Sequence, residues 1–191
     1  MAEHVCPVWV GHLLASPVRR LFQSPEKILG PHVAPGMTAL DVGPAMGFFS
    51  IPLAKMVGPA GRVVCVDVQA AMLEKLKARA AKAGVADRID ARLSADGSFG
   101  ISDLEGRVDF ALAFAVVHEL EDAHAFFVAA FCALKPGAKL LVAEPMNHVS
   151  AEAFEATRGD ALAAGFAALD PPRIGRSRTL LIGKRSPQRG G

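Results

Sequence analysis

Thr38-Ala39-Leu40-Asp41-Val42-Gly43-Pro44-Ala45-Met46-Gly47-Phe48-Phe49 is the stretch on which the architecture turns. Thr38 to Val42 is a short, mostly apolar run, the pattern of a strand covered on both faces. Small residues follow at once, and they let the backbone turn tightly and approach a ligand. A helix read from Phe48 to Val57 comes next, stopped by Gly58-Pro59, and its first turn offers unpaired N–H groups. In an α/β sheet, ligands bind at the carboxyl ends of the strands, beside the first strand. Asp41 stands two residues before the first Gly of this turn. A carboxylate there suits a cationic ligand and repels a pyrophosphate. Asp67 lies twenty residues beyond Gly47 (67 − 47), at the end of the second apolar run, Arg62 to Asp67. An acid at that place accepts hydrogen bonds from ribose hydroxyls.

Further strands read outward from this turn. Arg88 to Leu93 is a weaker third run, Val108 to Phe114 a fourth, and Lys139 to Ala143 a fifth. Phe166 to Leu169 and Thr179 to Ile182 make a closing pair. The first, second, fourth and fifth are almost wholly apolar rather than alternating, so the sheet is mainly parallel and covered on both faces. Helices fill the gaps: Ala70 to Ala83 with Gly84 as its stop, Asp122 to Leu134 with a Phe126, Phe127, Phe131 stripe, and Ala151 to Ala164 before Gly165. Strands alternating with such helices predict a doubly wound α/β fold. Residues 1–36 carry no strand and read as a cap of short helices, with Ser24-Pro25 as a helix start. The main domain is read as 37–185, and 186–191 as a polar, disordered tail.

Composition narrows the function. The 191 residues are 51% hydrophobic and 21% charged, which excludes a disordered chain. A net charge of +2 gives no electrostatic reason to propose nucleic acid. Apolar runs stay strand-sized, well short of the ~18 residues of a membrane span. Three scattered cysteines without CxxC spacing, and no export signal, predict a cytoplasmic protein. His4, Cys6 and His12 surround the only Trp, Trp9. They lack metal-site spacing, so no metal is expected, and the segment reads as a lid with Trp9 on the sheet or lining a substrate pocket. Cys65 in mid-strand and Cys132 in mid-helix read as small core residues.

Several pieces in order resemble the class I S-adenosylmethionine-dependent methyltransferases, over roughly residues 35–185. Ala39 to Gly47 is similar to the family's acid-x-Gly-x-Gly-x-Gly motif, with Ala45 in place of the middle Gly. Val63 to Asp67 matches its ribose-binding strand, Val108 to Ala111 its fourth-strand motif, and Leu134-Lys135-Pro136-Gly137-Ala138 its turn into strand five. Val117-His118-Glu119-Leu120 sits where related enzymes often carry a His-rich turn. The resemblance implies a seven-stranded Rossmann-like sheet in the order 3-2-1-4-5-7-6, its last strand, Thr179 to Lys184, antiparallel. It also implies the cofactor S-adenosyl-L-methionine, with S-adenosyl-L-homocysteine as product.

The resemblance implies roles for particular residues. Asp41 would hold the methionine ammonium through the loop or a water. Gly43, Pro44, Ala45 and Gly47 would let the backbone pass under methionine and ribose. Asp67 would bind the ribose, Val68 would pack on the adenine, and Ala95 or Asp96 would meet the adenine amino group. Phe114 is either a neighbour of the sulfonium or a core Phe. An Ala at position 45 is tolerated with negative φ and crowds the ligand with positive φ. His118 is read as a base, a substrate contact or a cap, and Glu119 as its catalytic neighbour or a capping acid. Glu144 and His148, on the loop after the fifth strand, join Trp9 as candidate substrate contacts.

Methyl transfer is an in-line displacement at an activated carbon and asks mainly for alignment and exclusion of water. The weak net charge favours a small or lipophilic acceptor over nucleic acid, and the protein is read as a monomer or homodimer. A non-catalytic cofactor- or partner-binding relative is the second reading, motivated by Ala45. A nicotinamide-dependent oxidoreductase is the third. Asp41 and the broken G-x-G-x-x-G pattern, with Ala45 and Phe48 at two of its positions, point away from it.

Overall fold

The computed structural model describes residues 23–94 and 99–186. Trp9, the His4–His12 segment, Ala95, Asp96 and the tail beyond 186 lie outside them. The chain divides into two compact units, Met1–Gly100 and Ile101–Gly191. The sheet has seven strands: β1 (Thr38–Val42), β2 (Arg62–Asp67), β3 (Ile89–Leu93), β4 (Val108–Phe114), β5 (Leu134–Pro145), β6 (Ala167–Leu169) and β7 (Ser177–Gly183). Their order is β3-β2-β1-β4-β5-β7-β6, as the resemblance implied.

The first unit holds β1, β2 and β3, which run parallel with Asp41 opposite Cys65 and Asp67 opposite Leu93. Crossovers between them are α2 (Ser50–Met56) and α3 (Ala70–Lys82), preceded by α1 (Pro25–Leu29). Ser24 caps α1 as its sequence predicts, its hydroxyl accepting from Lys27 N–H with Pro25 in the first turn. The helix read from Phe48 begins only at Ser50. Residues 44–49 remain in the turn, where Gly47 N–H donates to the Pro44 carbonyl at 2.8 Å. Leu40, Val64, Leu53, Met72 and Leu76 are buried together in this unit's core.

The second unit holds β4 to β7 with α4 (Ala123–Ala133) and α5 (Ala151–Ala163). β4 and β5 are parallel, while β7 runs antiparallel to both β5 and β6. β5 is longer than its apolar run. Pairing with β7 carries it on through Glu144 and Pro145, which face Arg178 and Ser177. Asp122 serves as the N-cap of α4 rather than its first residue, its carboxylate accepting from Ala125 N–H at 2.8 Å. Phe110, Phe126, Phe127 and Leu140 are fully buried and form the apolar centre. Cys132, read as a core residue, is exposed, because only one stripe of α4 is covered. No described helix is long and apolar enough to cross a membrane.

Candidate functional site

In the first unit, β1 delivers Asp41 and runs directly into the glycine-rich turn. Gly43, Ala45 and Gly47 take positive φ of 69°, 47° and 83°. Gly43 N–H donates to the Val66 carbonyl of β2 at 2.9 Å, which ties the turn to the neighbouring strand. Gly47 has no room for a side chain: a Cβ there would lie 2.4 Å from Leu76 Cδ1. Ala45 adopts the unfavourable branch of the sequence expectation, since its φ is positive. A left-handed Ala costs roughly 1–2 kcal/mol. Ala45→Gly relieves that strain against an unfolded-state penalty of about 0.4–1 kcal/mol. The expected result is a melting temperature equal to or slightly above wild type, with tighter cofactor binding; weaker binding by calorimetry would contradict the crowding argument.

Asp67 closes β2 with its side chain nearly buried. Its carboxylate accepts from Gln69 N–H at 2.9 Å. Burial pushes its pKa above the usual carboxylate value, opposed by hydrogen bonds from the amides of Gln69, Ala45 and Val68. Asp67 therefore fastens the turn as well as offering an acceptor at the strand end. Beside it Val68 is 58% exposed, an uncommon position for a large apolar side chain and one suited to covering a flat ring.

Asp41 is only 2% exposed and accepts a 2.6 Å hydrogen bond from the Ser50 hydroxyl. Burial raises its pKa from 3.8 to about 7; the Ser50 bond opposes this and Asp67 adds to it. Ser50, at the head of α2, was missing from the sequence reading: it lies nine residues from Asp41 with no local pattern linking them. Cys65, opposite Asp41 on β2, is buried with its thiol pushed up by burial and then by Asp41, so it is an unreactive thiol.

A nucleoside bearing a cation fits this set. Asp67 supplies a poorly solvated acceptor for ribose hydroxyls, Val68 an exposed apolar face, and Asp41 a buried acid whose ionised form a nearby cation favours.

The second unit carries a separate polar cluster. β4 ends in a nearly buried Phe114, and Ala115 follows with φ of 57°. Ala115 N–H donates to the Ala143 carbonyl at 2.7 Å, which holds this strained residue. A 3₁₀ turn, Val117–Glu119, comes next. Glu144, near the end of β5, is buried, and both its oxygens are engaged. Oε1 accepts from Val117 N–H at 2.8 Å, and Oε2 lies 2.5 Å from His118 Nδ1. The His118 side chain is 25% exposed against 1% for Glu144. The Glu144 hydrogen bond raises the His118 pKa; burial opposes it, and the charges of Glu144 and Glu119 add to the rise. The His148 ring stands edge-on to His118 at 6.3 Å. The fold thus gathers His118, His148 and Glu144, but sets Glu144 behind His118 rather than free for a substrate. Glu119 is exposed at the end of the turn. Among the described residues, no group of three or more His, Cys, Asp or Glu is arranged to hold a metal ion.

Sheet order and turn together define a nucleotide-binding α/β domain. The family described as methyltransferase domain matches residues 34–168. The chain belongs to that family, the class I S-adenosylmethionine-dependent methyltransferases, and S-adenosylmethionine is its cofactor. The arsenite methyltransferase of Halobacterium salinarum is 30% identical over 112 residues, which are 59% of this chain but 28% of that protein. An S-adenosylmethionine-dependent methyltransferase from Aquifex aeolicus superposes with a TM-score of 0.81 at 25% identity, over 93% of this chain and 97% of that one. Cofactor-bound Rv0187 from MTB shares the fold with a TM-score of 0.69 at 23% identity, over 96% and 92% of the two chains.

Proposed function

We propose that this protein transfers the methyl group of S-adenosylmethionine to a small or lipophilic acceptor. The observation that carries this reading is the turn after β1, with positive φ at Gly43, Ala45 and Gly47, next to Asp67 and an exposed Val68. Asp67 takes the ribose hydroxyls, Val68 packs on the adenine, and Asp41 favours the ammonium through the turn. Pro44 and Ala45 pass beneath the methionine portion. The acceptor meets His118 and His148, with Glu119 contributing charge at the same turn. When bound, the cofactor supplies a methyl group already activated on a cationic sulfur. Alignment and exclusion of water are then the chain's main work.

Calorimetry with S-adenosylmethionine, S-adenosylhomocysteine and NADH on wild type and Asp67→Ala tests this reading. Loss of hydrogen bonds to a charged acceptor costs about 1.5–3 kcal/mol each, so the substitution is expected to weaken both sulfur nucleotides about 100-fold or more. Binding of NADH in preference to them would reverse the assignment. Cofactor binding without turnover across a broad acceptor panel would favour a non-catalytic relative.

A further inference from the structure

We infer that Glu144 and His118 form a proton-accepting pair, in which buried Glu144 holds Nδ1 so that Nε2 takes a proton from a hydroxyl or thiol acceptor. This rests on the methyl-transfer reading above.

The argument starts from the two Glu144 oxygens. Val117 N–H can only donate, and it donates to Oε1 at 2.8 Å. Oε2, 2.5 Å from His118 Nδ1, is placed to accept, and so favours a proton on Nδ1. The neutral ring then has its lone pair on Nε2. A carboxylate that orients an imidazole and stabilises its protonated form is the arrangement proton abstraction needs. The partners differ as the roles demand: Glu144 is sealed off, whereas His118 is in part exposed.

The other titratable groups near the ring are Glu119, from its own turn, and His148, 6.3 Å away on the loop after β5. Arg178, opposite Glu144 on β7, is engaged elsewhere: its Nε donates to the Val149 carbonyl at 3.1 Å. Glu144 is thus left to act on His118.

The pair defines the acceptor class. A tertiary amine or an already ionised oxygen has no proton to give and gains nothing from it. A neutral O–H or S–H does. Its proton passes to the Nε2 lone pair, and the acceptor atom forms the new bond to the methyl carbon. The carbon–sulfur bond of the donor breaks with its electron pair kept by sulfur. The positive charge leaves sulfur and ends on the His118 imidazolium, beside Glu144, until water removes the proton. Glu144 is a positioning residue in this scheme, since it touches only its own chain.

Glu144→Gln tests the assignment at almost constant shape. The Val117 N–H still requires an acceptor, so the Gln carbonyl oxygen goes there. Its NH₂ then faces Nδ1, which must accept, and the ring proton moves to Nε2. Imidazole ¹⁵N spectra of the full chain between about pH 5 and 9 read this directly. Wild-type neutral His118 is expected to carry its proton on Nδ1 and to titrate above an ordinary imidazole. The variant is expected to invert the nitrogen pattern, titrate lower, and lose about 100-fold in kcat on phenol or 2-mercaptoethanol. Calorimetric affinity for S-adenosylmethionine should not change. A wild-type ring protonated on Nε2, an unchanged pattern in the variant, or an unchanged rate would overturn the pair's role. A wild type that binds the cofactor but methylates neither probe would overturn the acceptor class. Absence of cofactor binding by wild type would sink the methyl-transfer reading instead, while the spectra judge the pair alone.

Discussion

Asp41→Asn is expected to stabilise the protein at neutral and alkaline pH while weakening its hold on the cofactor. Asp41 titrates near 3.8 when unfolded and at about 7 in the buried site, chiefly through burial. The folded state therefore binds more protons than the unfolded chain across that interval, and stability falls as pH rises through it. Below the unfolded value both states are protonated and the difference vanishes. Above about 7 it is complete, on the order of 4 kcal/mol from roughly three pKa units at 1.36 kcal/mol each. Asn keeps an oxygen for the Ser50 hydroxyl and never ionises. Melting temperatures of wild type and variant should converge near pH 4 and separate by pH 8, with the variant higher. The same substitution removes the negative charge that a ligand ammonium would favour. Calorimetry should thus show weaker S-adenosylmethionine binding in the more stable protein. Equal melting curves at all pH values would show that Asp41 ionises in the folded state at no cost.

Gly47→Ala is expected to be the most damaging small change in the turn. A φ of 83° is strained for any L side chain, and the new Cβ would meet buried Leu76 at 2.4 Å. The conformational term is roughly 1–2 kcal/mol and the overpacking about 1–3 kcal/mol. A loss of about 2–5 kcal/mol would show as a clear fall in the denaturant midpoint. Cofactor binding should fall with it, because relief means displacing buried Leu76, α3 or the turn. Ala45→Gly, two residues away, has the opposite sign. The contrast separates a position that tolerates a methyl at a cost from one that has no space for it.

The sheet was legible because its signals are local. Val63 to Asp67 and Val108 to Phe114 are apolar runs that only a strand covered on both faces uses, and β2 and β4 lie where those runs predict. Asp41, the Gly43–Gly47 turn and Asp67 are legible for the same reason, since strand end, turn and acid follow one another along the chain. Boundaries went wrong where a distant partner decided them. β5 passes its apolar run because β7 supplies hydrogen bonds through Pro145, and α2 starts late because the turn holds Phe48 and Phe49.

Tertiary structure alone decided the chemistry of the acids. Nothing along the chain pairs Asp41 with Ser50, or His118 with Glu144 across 26 residues. Ala115 carries no sequence mark of positive φ, and Ala45 only its place in the glycine motif, because an Ala enters that region only when surrounding contacts hold it there. The sequence by itself determined where the backbone would pass close to a ligand, since Gly, Asp and apolar runs act within a few residues. Which carboxylate is solvated, which is buried, and which holds an imidazole depended on folding, because burial and hydrogen-bond partners exist only once distant segments meet.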